Sequence, residues 1–123
     1  MTDITGIEDI KRLVDHFYDK VRMDDMLAPV FASRIQDWEP HLQTMYGFWN
    51  MALFGVKDYS GNPFSKHIDL PVESAHFNRW LHLFMQTLNE NFDGPVAGEA
   101  MQKASAVARI FLSRITQFRE ANG

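Results

Sequence analysis

A chain of 123 residues without cysteine can bury one core, but it cannot form disulfides or thiolate metal sites, so any metal must be held by histidine, carboxylate or a cofactor. Its formal charge of −4, with basic residues scattered, argues against a nucleic-acid surface. The start shows no secretory pattern and no apolar run approaches about 18 residues, so the expectation is one soluble cytoplasmic domain over 1–123, off the membrane.

Thr5-Gly-Ile-Glu8 has the form of a capping box, with Thr5 accepting from the Glu8 N–H and the Glu8 carboxylate reaching back. Behind it Ile7, Ile10, Val14, Phe17, Tyr18 and Val21 recur at helical spacing, which predicts a helix to about Met23 with Tyr18 on its buried face. The Asp24-Asp25 break leads into Leu27-Ala-Pro-Val-Phe31, where Pro29 permits a short turn that points Val30 and Phe31 inward. Asp37 caps a second long helix, in which Pro40 sits where no intrahelical N–H is needed. That helix carries His41, Leu42, Met45, Phe48, Trp49, Ala52 and Leu53 as one broad stripe and stops at Gly55.

The stretch Asp58-Tyr-Ser-Gly-Asn-Pro-Phe-Ser-Lys-His67-Ile-Asp-Leu-Pro71 breaks this pattern. Asn62-Pro63 starts a helix and Leu70-Pro71 ends it within two turns, leaving His67 near the end of a short segment beside Phe64, Ile68 and Leu70. A third long helix runs from about Val72 to Asn91 through Phe77, Trp80, Leu81, Phe84, Met85 and Leu88. Asp93-Gly94-Pro95 ends it, and a fourth follows from about Val96 to Arg119 through Ala100, Ala104, Val107, Ala108, Phe111 and Ile115. So short a connection makes the last two helices antiparallel neighbours. The expected fold class is all-α, with four main helices and two short ones.

Ten Phe, three Trp, three Tyr and seven Met are a heavy load for this length, suited either to an aromatic core or to a cavity for something flat and apolar. Glu73-x-x-His76 has the spacing of one di-iron carboxylate arm, but no second arm follows. His16, His76 and His82 read as ordinary solvated or half-buried side chains. Tyr18, His41 and Trp80 remain as polar-tipped residues on inward faces, with His67 on its separate segment. Each has a plain structural explanation when taken singly. Taken together, three hydrogen-bond donors on three apolar faces and one isolated histidine describe a haem pocket.

At these residues the sequence resembles the truncated haemoglobins, specifically their third group. The matching features are Phe17-Tyr18, Pro29-Val-Phe31, Trp38-Glu-Pro-His41, Phe48-Trp49, the run from Tyr59 to His67, and Leu70-Pro71 leading to Phe77-Asn-Arg-Trp80-Leu, in order over residues 7 to 118. The resemblance implies a globin fold reduced to two helices over two around haem b. It makes His67 the proximal iron ligand and puts Tyr18, His41 and Trp80 on the distal side. Phe31 would pack against the haem, and Phe17, Met45 and Trp49 would shape the cavity. Phe64 would stand beside the proximal ligand, and Lys66, Lys57, Tyr59 and Arg79 are candidates for the haem carboxylates. For His41 three roles stay open: bonding the ligand, swinging out as a gate, or coordinating iron.

The resemblance implies a binder of diatomic gases such as O2, CO and NO. The alternative is an enzyme of nitric oxide dioxygenase or peroxidase type, which needs a separate reductase because no flavin or nicotinamide domain is present. A haem-free helical interaction module is the third class. No exposed heptad seam points to a coiled-coil dimer, so a monomer is expected.

Overall fold

A computed structural model of the chain describes residues 1–57 and 72–122. They form the helices α1 (Ile7–Met23), α2 (Ala28–Ala32), α3 (Trp38–Phe54), α4 (Ser74–Asn91) and α5 (Pro95–Asn122). Among the described residues there is no strand, as expected, and no helix is long and apolar enough to cross a membrane. The expected short helix after Asn62-Pro63, with Phe64, Lys66 and His67, lies outside the described residues.

The period of α1 does what the sequence requires, burying Ile10, Leu13, Val14, Phe17, Tyr18 and Val21 along one face. Its start differs from expectation. Gly6 rather than Thr5 is the N-cap, and the shift of one residue moves the third helical position from Glu8 to Asp9. Asp9 therefore turns back to Thr5, accepting from its backbone N–H and its hydroxyl at 2.9 Å each. Ile7, counted with the buried face, stays 37 % exposed in the first turn.

Both ends of α3 follow local chemistry. Asp37 accepts from the Glu39 N–H at 3.2 Å, and Gly55 closes the helix in the left-handed region at φ 70°, donating to Met51 O. α4 begins at Ser74 rather than Val72, which is buried in the linker before it. α5 starts at Pro95, whose missing N–H costs nothing at a helix start. A cap from far along the chain completes it. Asp3 accepts from the Val96 and Ala97 N–H groups, both at 2.9 Å, and a Cβ on Gly94, at φ +147°, would collide with the Asp3 side chain.

α1 pairs with α3, and α4 with α5; α1 also lies on α4 and α3 on α5, so two helix pairs close around one interior. Phe17 is the hub, edge-on to Tyr18 at 4.9 Å, Phe84 at 5.2 Å and Trp80 at 5.3 Å. Phe84 in turn stacks on Trp49 and Trp80. Each such pair contributes about 0.5–1.5 kcal/mol beyond the area it buries, and together they lock α1, α3 and α4 into one unit. α5 packs mainly on α4 and buries the small residues Ala100, Ala104 and Ala108.

Candidate functional site

The five helices leave a cavity of about 620 Å³ between the two pairs. That size lies within the range of about 300–1,000 Å³ common for small-molecule sites. Its lining has a division of labour. α1 to α3 contribute aromatic and polar-tipped side chains, whereas α5 contributes Val107, Ala108, Phe111 and Ile115.

Tyr18, one turn from the end of α1, is 4 % exposed and carries its ring in the centre of an aromatic cluster. The His41 ring is edge-on to it at 5.1 Å, Phe31 at 5.9 Å, and Trp38 is tilted at 5.6 Å. Trp38 also stacks on Phe31 and is covered on its outer side by the Arg22 guanidinium at 4.8 Å. Burial drives the Tyr18 phenol well above its ordinary value. Tyr18 is therefore a neutral O–H donor across the working pH range.

His41 is in the first turns of α3, with its Nε2 shielded from solvent. Met45 and Trp49 follow it at intervals of one helical turn, so all three face the cavity. Trp80 reaches in from α4. The structure thus brings Tyr18, Phe31, His41, Met45, Trp49 and Trp80 to one cavity, while His67, Phe64 and Lys66 lie outside the described residues. Phe17 does not line the cavity; it stands behind Tyr18 and Trp80 as their support.

The turn between α1 and α2 is tied to α4 by a carboxylate that sequence reasoning left as a simple break. Asp24 is 8 % exposed; its Oδ1 lies 2.7 Å from Arg79 Nε, and its Oδ2 accepts from the Met26 and Leu27 N–H groups. Burial acts to raise its carboxyl, but the Arg79 bond and these N–H groups outweigh burial and hold it below the ordinary value. Arg79 is consequently engaged with Asp24 and does not line the cavity, contrary to its candidacy as a carboxylate partner. Lys57 is exposed and does not line it either.

Among the polar lining residues not expected at the site are Arg34 and His76. Arg34, on the α2–α3 linker, lines the cavity and is its only Lys or Arg among the described residues. His76, read as an ordinary histidine, faces the cavity one turn before Trp80. Its Nδ1 accepts from the Glu73 N–H at 2.9 Å, which leaves the proton of the neutral ring on Nε2. The i to i+4 spacing of His76 and Trp80 was the available signal.

The lining fits haem. A flat apolar ring matches aromatic and aliphatic walls, and Tyr18, His41 and Trp80 add donors to one interior. Among the described residues no three His, Asp or Glu side chains converge on a metal position.

Comparison with known proteins agrees. The family model of the bacterial-like globins matches residues 2–113. A group 3 truncated haemoglobin of Campylobacter jejuni is 34 % identical over 116 residues, covering 90 % of this chain and 91 % of the relative. A group 1 truncated haemoglobin of Nostoc sp. is 30 % identical over 77 residues, covering 62 % and 64 %. The crystal structure of a group III truncated haemoglobin from Campylobacter jejuni superimposes with a TM-score of 0.86 at 33 % identity, covering 94 % of this chain and 95 % of that one. The chain belongs to the bacterial-like globins, and within them to the haem-binding truncated haemoglobins of the third group.

Proposed function

We propose that this single domain holds haem b in the cavity and uses it to bind dioxygen and other diatomic gases reversibly. The observation that carries this reading is the convergence of Tyr18, His41 and Trp80 on a largely apolar cavity of about 620 Å³. When bound, the haem supplies an iron centre able to take up a diatomic gas.

The chain's own residues then have distinct tasks. His67, which lies outside the described residues, would hold the iron through a ring nitrogen. Tyr18, neutral because it is buried, holds its proton toward the gas and stabilises negative charge there. The Trp80 indole N–H is a second donor, and its ring is held by stacking on Phe84 at 5.7 Å. His41, packed against Tyr18 and Trp38, supplies a third polar tip. Phe31, Met45 and Trp49 exclude water from the ring, which strengthens each of these interactions.

The test is an absorption spectrum of the protein expressed with haem available, in ferric, reduced and carbon-monoxide-bound states, beside H67A. A Soret band that shifts on reduction and with carbon monoxide, and is lost or severely weakened in H67A, is the expected result. An absent band in the wild type overturns the haem reading, and a normal band in H67A moves the ligand to another histidine. Steady-state turnover of nitric oxide with a supplied reductase would instead indicate an enzyme.

A further inference from the structure

We propose that Arg34 anchors a haem carboxylate at the mouth of the cavity; this deepens the haem reading and rests on it. Haem carries two carboxylates on one edge, and burying either without a partner is costly, so that edge must lie where the cavity meets water beside a cation.

The exposure of the lining locates such a place. Arg34, Gln36, Asp37, Pro40 and Thr44 are all exposed, whereas the opposite wall on α5 is apolar and buried or half-buried. The described mouth is therefore the flank formed by the α2–α3 linker and the outer edge of α3. On that flank Asp37 caps α3 through the Glu39 N–H, and the Thr44 hydroxyl donates to Pro40 O at 3.0 Å. Neither is a partner for an anion: one is itself an anion, and the other spends its proton inside the helix.

Arg34 supplies what they lack, a permanently charged planar group able to hold a carboxylate through two N–H donors. The other basic candidates among the described residues, Arg79 and Lys57, do not line the cavity.

The experiment follows haem transfer from the protein to an excess of an apoglobin acceptor, read by the Soret change, using haem and its dimethyl ester. For haem, R34M is expected to lose the cofactor about 3- to 10-fold faster than wild type, as suits a partly exposed charge-assisted pair. R34K should recover part of the difference. For the dimethyl ester, which has no carboxylate, wild type and R34M should lose the cofactor at the same rate. Equal loss of haem from wild type and R34M overturns the anchor, as does the same acceleration with both forms of the cofactor. A wild type that takes up no haem overturns the underlying reading instead.

Discussion

The two walls of the cavity are built on different principles. On one side Tyr18, Phe31 and His41 meet edge to face, each ring presenting a polar or polarised edge at a defined angle, with Trp38 packed behind them. On the other, α5 offers Val107, Ala108, Phe111 and Ile115, which have no hydrogen-bonding tips. The aromatic wall can discriminate among ligands by charge, whereas the α5 wall can do so only by volume. Substitutions on α5 should therefore act through the space left for the cofactor, and those on the aromatic wall through the chemistry of the gas.

The sharpest contrast comes from Ala108, which is 4 % exposed and lines the cavity. A108F puts a ring into the cofactor's space, and haem uptake measured by Soret titration should fall at least about tenfold while far-UV circular dichroism stays helical. Uptake at the wild-type level would mean that α5 does not set the cavity's volume.

Y18F addresses the other wall. Losing a donor in a dry pocket costs about 1–3 kcal/mol, so dioxygen release by stopped flow should accelerate about 5- to 150-fold with haem content unchanged. An unchanged release rate would remove Tyr18 from that role.

Asp24 sits at the joint from which the aromatic wall is hung on α4. D24A removes a buried carboxylate and should destabilise the fold by about 1–2 kcal/mol in denaturant titration, with the Soret band retained. The folded carboxyl titrates below its ordinary value of 3.8, so its contribution is complete above that pH and is lost as pH falls through the lowered folded value. The difference between wild type and D24A should accordingly shrink in acid below about pH 4. A constant difference would assign the loss to packing.

The smallest effect is expected at Tyr46, whose hydroxyl donates to Asp15 and ties α3 to α1 outside the main cavity. Y46F should cost about 0.5–1.5 kcal/mol and leave dioxygen release at the wild-type rate. A changed rate would show that the seam between α1 and α3 reaches the gas.

Most of the helical framework and much of the aromatic wall were legible in the sequence because their signals are local. The period of α1, the Asp37 cap, the Gly55 stop and the Asp93-Gly94-Pro95 break each depend on a few neighbouring residues, and Tyr18, His41 and Trp80 were identified by a polar tip on an apolar face. Even here the cap was read one residue early, at Thr5 with Glu8 turning back, because Glu8 and Asp9 are both acidic and the position of the cap at Gly6 selects Asp9.

Tertiary structure decided the rest. Val107, Ala108, Phe111 and Ile115 have the same helical period whether they face another helix or an empty space, so the sequence marked them as interior without showing that they border a cavity. Asp24 meets Arg79 across 55 positions and Asp3 caps α5 across 93, distances at which no periodic signal survives. The same long-range closure draws Arg79 away from the cavity while Arg34 borders its mouth. Helix formation is a property of neighbouring residues, but which charge faces which space depends on how the helix pairs close.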